Sequence, residues 1–224
     1  MTVRPGLDSA SSELRGFGPP GLLAFAVILA GLAIGPAVAA ILVLIWARLS
    51  GTPARALGFT RPRNRAATLL GGALLGFGAK LALKAIVMPL LGAPAINARY
   101  HYLAGNTAAL PGFIVLVLVS AAFGEEVFFR GYLFERIGHA MGGRPVAIAV
   151  AVTVSTVLFA AAHYPDQGLP GAQQATVTGI LFGGLYAWRR NLWFVITAHA
   201  VFDLVAIALI YWSLEERVAH AVFH

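Results

Sequence analysis

The chain has 224 residues, 59% of them hydrophobic and 11% charged, with a mean hydropathy of +0.80. A soluble domain carries about 25% charged residues, so the composition excludes an ordinary soluble globule. It points to an all-α membrane helix bundle with room for about six to seven transmembrane helices of roughly 20 residues each. The absence of cysteine excludes disulfides, a thiol nucleophile and a cysteine-based metal site. The formal net charge of +7 fits loop charge against anionic lipid, and no aromatic-plus-basic stretch suggests nucleic acid. The 25 glycines and 12 prolines suit close helix packing and kinked helices in lipid.

In chain order, residues 1–20 are polar and rich in Gly, Pro and Ser, and read as a flexible tail. The next apolar run is too long for the core of a signal peptide, so no cleaved signal is expected. The first span is expected over 21–47, kinked at Gly35–Pro36. Residues 48–65 hold Arg48, Arg55, Arg61, Arg63 and Arg65 and no acid. The second span, 67–91, carries Lys80 and Lys84 at i, i+4, which share a face and either point inward or snorkel. Residues 92–109 form a loop with Arg99 and His101. The third span is expected over 110–138. A turn at 142–145 then places Pro145 at a helix start. The fourth span, 146–163, ends at a Pro- and Gly-containing stretch, 164–170. The fifth, 171–188, presents Gly179, Gly183 and Gly184 for close packing. The sixth, 192–214, follows the Arg189–Asn191 turn and leads to a short tail, 215–224.

The turns after spans one, three and five hold Arg48, Arg55, Arg61, Arg63, Arg65, Arg136, Arg144, Arg189 and Arg190, against Arg4, Arg15, Arg99 and Arg217 on the other side. By the positive-inside rule the odd turns are cytoplasmic and both termini lie outside.

Inside the third span stand Glu125, Glu126 and Arg130. A charge at the centre of a membrane helix costs about 2.5–3.5 kcal/mol on insertion scales, so such residues mark a functional site by default. Glu126 and Arg130, at i, i+4, can pair for purely structural reasons. Glu125, about 100° round the helix from Glu126, is left without that explanation. Two further i, i+4 pairs that carry titratable groups lie in apolar spans: Phe159 with His163, and His199 with Asp203. A lone buried His, or one His-x-x-x-Asp pair, is commonly structural. Four titratable groups on three apolar helices (Glu125, His163, His199 and Asp203) must face one another or water, because lipid offers them no partner. His101, His139, His220 and His224 lie in loops or at ends and read as solvated.

A carboxylate drawn out of water holds its proton more tightly, which suits it to general-base work at neutral pH. Glu125 with a neutral His163 therefore reads as a water-activating pair. His199 and Asp203 read as an oxyanion site, in which Asp203 donates only when protonated. The same atoms admit a second use: His163 and His199 with a carboxylate, Glu125 or Asp203, suit Zn²⁺ with one open position. Without H-E-x-x-H, such ligands must come from three separate helices. Either use makes the protein a hydrolase.

The three motifs, Glu125-Glu126-x-x-x-Arg130, Phe159-x-x-x-His163 and His199-x-x-x-Asp203, resemble the signatures of the CPBP family. These are membrane-embedded proteases related to the type II CAAX prenyl endopeptidases and to bacterial bacteriocin-processing and abortive-infection proteins. The resemblance covers about 110–211. It implies an intramembrane endopeptidase domain over 21–214, in a bacterial-type plasma membrane, with a polar cavity open to one side. Its substrate would be a membrane-associated protein or peptide, prenylated or leader-type. The resemblance further implies that Glu125 and His163 activate water, that Glu126 supports the site with Arg130, and that His199 and Asp203 stabilise the oxyanion. It leaves metal dependence open, and Asp203 stands where the eukaryotic prenyl-protein enzymes usually carry Asn. Residues before 110 carry no signature, so chemistry transfers and substrate does not. Two other classes use the same polar residues: a transporter or channel relaying protons or a cation, for which no internal repeat is visible, and a non-catalytic peptide-binding or immunity protein.

One geometric demand follows. At about 1.5 Å per residue, Glu125 at mid-span, His163 near one end and His199 near the other fall at unequal depths. The helices must therefore tilt or overrun the bilayer, and the third span is expected to run past Arg136.

Overall fold

The computed structural model describes residues 5–223, which form helices and short connections with no strand among them. The helices are α1 (Pro5–Arg15), α2 (Pro19–Ile34), α3 (Pro36–Leu49), α4 (Arg65–Leu90), α5 (Leu110–Ala140), α6 (Val146–Arg189), α7 (Leu192–Tyr211) and α8 (Glu215–Ala219). Of these, α4 to α7 are long and apolar enough to cross a bilayer. Two start on asparagine caps. The Asn64 side chain accepts from the Ala67 N–H at the head of α4, and Asn191 accepts from Phe194 at the head of α7, satisfying end donors that lipid would leave bare.

Helix α6 has 44 residues, about twice what a hydrocarbon core of roughly 30 Å accommodates. It breaks at Gly168, where φ is +61° and ψ −159°, a conformation open essentially to glycine alone. The arms then fold back on each other. A Cβ on Gly179 would lie 2.9 Å from Thr156, and one on Gly183 would touch Val152. The arms are thus the fourth and fifth spans of the sequence, joined by a turn.

The first apolar run departs from expectation. It is a helical hairpin, not one kinked span. Gly35 is extended and Pro36 opens α3; Pro36 has no N–H with which to continue α2. The Trp46 indole donates to the Leu14 carbonyl (3.0 Å) and Ser11 to the Leu49 carbonyl (3.1 Å), so the end of α3 returns to the start of α2. A Cβ on Gly31 would lie 2.4 Å from Leu42 across the pair. At 16 and 14 residues the arms are about 24 and 21 Å long, short of a full crossing.

Residues 5–15, read from sequence as flexible tail, form α1. Met1–Arg4 lie outside the described residues. Arg15 pairs with Glu135 at 3.0 Å, and Arg136 donates to the Gly16 carbonyl at 2.9 Å while its guanidinium lies 4.2 Å from the centre of the Phe17 ring. Within the other expected tail, residues 215–219 are also helical, and Glu215 is buried.

The hairpin changes the topology. Because α2 and α3 return to their own start, α1 shares one end of the bundle with the arginine-rich turns. There Leu192 N–H donates to the Gly58 carbonyl (2.8 Å) and Thr60 to the Arg190 carbonyl (3.3 Å). The Gly105 N–H donates to the Tyr211 carbonyl (3.0 Å) at the opposite end, where α8 follows. Residues 5–15 and 215–219 therefore lie at opposite ends of the bundle, not on one side as the charge count suggested. Helix α5 runs through the middle, its Val127, Phe128, Phe129 and Tyr132 buried, with α3, α6 and α7 packed around it.

Candidate active site within the bundle

Between Val117 and Tyr132 the backbone of α5 winds wide, with i→i−5 hydrogen bonds such as Leu133 N–H to the Phe128 carbonyl. Wider winding brings consecutive side chains closer in angle than the 100° of an α-helix. Glu125 and Glu126 thereby both turn toward the interior. Gly124 precedes them at a close approach: a Cβ there would lie 2.6 Å from the Pro36 carbonyl carbon. The turn of the α2–α3 hairpin thus backs directly onto the pair.

Glu126 and Arg130 have no exposed side-chain surface. One Glu126 oxygen, Oε1, accepts from Arg130 Nη1 at 2.8 Å and from His199 Nδ1 at 2.7 Å. The Arg130 guanidinium lies over the Phe159 ring at 4.7 Å and near Phe182 at 5.9 Å. His199 Nε2 points the other way, 3.4 Å from Asp203 Oδ2 and 3.7 Å from Glu125 Oε2. With Nδ1–H committed to Glu126, Nε2 faces two carboxylates. A proton must lie among these three groups, because bare acceptors facing one another repel.

The Ser155 hydroxyl donates to the Phe129 carbonyl at 3.0 Å, which fixes the register between α5 and the antiparallel first arm of α6. Phe159 is then level with Glu125, and His163 with Ala121. His163 therefore stands one turn, about 6 Å, nearer the open end than Glu125. Its Nδ1 donates to the Phe159 carbonyl at 2.8 Å and its ring, tilted by 57°, lies 4.4 Å from that of Phe159, leaving Nε2 as an acceptor. The same register meets the depth demand: the first turns of α5 overhang the Gly168 turn, and its far end runs to Ala140, past Arg136.

All four residues Glu125, His163, His199 and Asp203 line one cavity of about 590 Å³. The imidazole within ion-pair distance of Glu125 is that of His199; His163 lies beyond that distance. Lys80 and Lys84 line the cavity too, 7% and 9% exposed, so both point into the bundle and neither snorkels. Their i, i+4 spacing in an apolar span was the one signal for them. Gln167 and Gln174, also in the lining, carried no signal. At the mouth, Gln167 Nε2 donates to the Tyr100 hydroxyl at 3.3 Å, and burial pushes the Tyr100 phenol up from its ordinary pKa.

Among the described residues no group of three His, Asp or Glu side chains has the arrangement of a metal site. His163 is a turn removed from His199, and His199 Nδ1 is held by Glu126. Of the four candidate ligands, His199 Nε2, Asp203 and Glu125 face one another, and His163 stands apart from them.

Residues 107–205 match the family model of the Rce1-like type II CAAX prenyl endopeptidases. Over 132 residues the chain is 30% identical to the membrane-embedded CAAX protease MroQ of Staphylococcus aureus (strain USA300), covering 57% of this chain and 52% of that protein. The chain spans about half the length of this curated relative. No solved structure matches. The matched segment holds all six candidate residues, from Glu125 on α5 to Asp203 on α7.

Proposed function

Since the chain belongs to the CPBP family of membrane-embedded proteases and is a polytopic integral membrane protein, we propose that it hydrolyses a peptide bond of a membrane-associated protein or peptide, using water activated by Glu125. The observation that carries this reading is the position of His199. It is clamped from behind by Glu126 and presents Nε2 to Glu125, Asp203 and the cavity.

Glu125 takes a proton from a cavity water, and the resulting hydroxide adds to the scissile carbonyl carbon. His163 Nε2, an acceptor one turn above, orients that water. His199 Nε2–H, shared in the resting site with Asp203 and Glu125, keeps its proton and turns its hydrogen bond to the oxyanion. Glu126 fixes the ring through Nδ1, and Arg130 balances the Glu126 charge. The C–N bond then breaks as Glu125 returns its proton to the leaving nitrogen, giving a carboxylic acid and an amine. No step needs a metal ligand set.

The test is cleavage of prenylated and leader-type fluorogenic peptides by purified protein in mild detergent. Glu125→Gln lowers turnover by about 10²–10⁴-fold with the unfolding temperature unchanged, and chelation leaves the wild-type rate intact. Retained turnover in Glu125→Gln sinks the role of Glu125. Loss on chelation, restored by zinc, sinks the metal-free route. Cation flux in proteoliposomes without cleavage favours the transporter class instead.

A further inference from the structure

Among the cavity residues that this mechanism leaves unused is Lys80. It is 7% exposed, and its Nζ donates to Gln174 Oε1 at 3.0 Å and stands 4.7 Å from the centre of the Phe202 ring. A buried ammonium met only by a neutral amide and a ring face is costly to hold. Lys84, one turn along, is differently placed: it pairs with Glu215 at 3.3 Å and also donates to the Ala95 carbonyl. Asp203 and Glu215 act on Lys80 through space, but Asp203 is engaged by His199 at 3.4 Å and Glu215 by Lys84. The ammonium of Lys80 therefore faces the cavity with no carboxylate in ion-pair contact among the described residues.

Its level can be read from α4 and α7, which run parallel. A Cβ on Gly72 would meet the Phe194 carbonyl oxygen, and one on Gly76 the Ala198 carbonyl oxygen. Continuing that register places Lys80 beside Phe202 and Asp203, four residues beyond His199 toward the mouth. Four residues of helix rise about 6 Å, the length of roughly two residues of extended peptide.

We infer that Lys80 forms a carboxylate-binding subsite, which holds a carboxylate of the bound peptide about two residues from the reacting carbonyl. The carboxylate comes from a chain terminus or from an Asp or Glu side chain, since an ammonium is a point charge that takes either. The distance from the reacting carbonyl rests on the peptidase reading; the binding itself does not.

The experiment is calorimetric binding to the full chain in mild detergent, without turnover, by using Glu125→Gln protein. The probes are acetyl-trileucine with a free C-terminus, the same peptide as its C-terminal amide, and an acetyl-Leu-Leu-Asp amide. The free acid binds about tenfold or more tightly than the trileucine amide. Lys80→Met erases that difference and Lys80→Arg keeps it; Lys80→Gln, which retains the bond to Gln174, serves if Lys80→Met does not fold. Tight binding of the Asp amide marks a side-chain carboxylate as acceptable, and its absence assigns the subsite to the chain terminus. Equal binding of acid and amide, equal weakening of both by Lys80→Met and Lys80→Gln, or no binding of any probe overturns the subsite. Lys80-dependent binding in a chain that cleaves nothing keeps the subsite and removes the peptidase. Cleavage with equal effects of Lys80→Met on acid and amide substrates does the reverse.

Discussion

Arg130 and Glu126 hold each other at 2.8 Å with no exposed side-chain surface. Removing one member of a buried pair strands the other, at a cost of about 3–5 kcal/mol. Arg130→Met is therefore expected to lower the unfolding temperature in detergent more than any change at Glu125, and the double variant Arg130→Met with Glu126→Gln to recover much of the loss. A cycle of thermal-stability measurements on the two singles and the double checks this; additive losses would mean that the pair is not coupled. The pairing itself was legible from i, i+4 spacing. The contact of Glu126 with His199 was not, because the two are separated by 73 positions in sequence and no local rule relates them. The sequence reading joined Glu125 to His163. The geometry instead puts His199 beside Glu125 and His163 a turn away, since the register of α6 on α5 decides which ring meets which carboxylate.

At the scale of elements, glycines set how closely helices approach. In α4 a Cβ at Gly76 would lie 2.0 Å from the Ala198 carbonyl oxygen, while one at Gly78 meets nothing within 4 Å. Gly76→Ala is expected to separate α4 from α7 and destabilise by about 1–3 kcal/mol, whereas Gly78→Ala is neutral or slightly stabilising through helix propensity. Parallel melting curves of the two variants decide it; equal shifts would show that α4 does not rely on close contact. The same helix pair carries Lys80 and His199, so Gly76→Ala should also lower peptide cleavage. The glycines at 179 and 183 announced a thin helix face from the sequence, whereas Gly184, expected on the same face, has no neighbour within 4 Å of a Cβ there. Gly35–Pro36 announced a break, but a kink and a hairpin share that signal. The contacts of Leu14 and Ser11 with the end of α3 fix the difference, and they lie outside the apolar run.

For the whole molecule, the consequence is topology. The arginine-rich turns and α1 share one end of the bundle, while α8 and the cavity mouth share the other. Since the chain has no cysteine, single substitutions can be mapped cleanly. Ser9→Cys and Arg144→Cys, both exposed, are expected to react with a membrane-impermeant thiol reagent from the same side of the membrane. Arg217→Cys, also exposed, reacts from the other. The positive-inside rule makes the first side cytoplasmic. Labelling of Ser9→Cys and Arg217→Cys from one side would restore a full crossing in the first apolar run.

By itself the sequence determined the class, an all-helical membrane protein, together with the locations of α4, α5, both arms of α6 and α7, and the six candidate residues. These follow from hydropathy over some twenty residues and from the cost of charge in lipid, both local properties. Tertiary structure alone decided that the first run is a hairpin, that the helical residues before Gly16 lie opposite α8, that His199 bridges three carboxylates, and that Lys80 faces the cavity. Each of these depends on the register between distant helices, which is set by side-chain packing across the bundle and leaves no periodic trace in the chain.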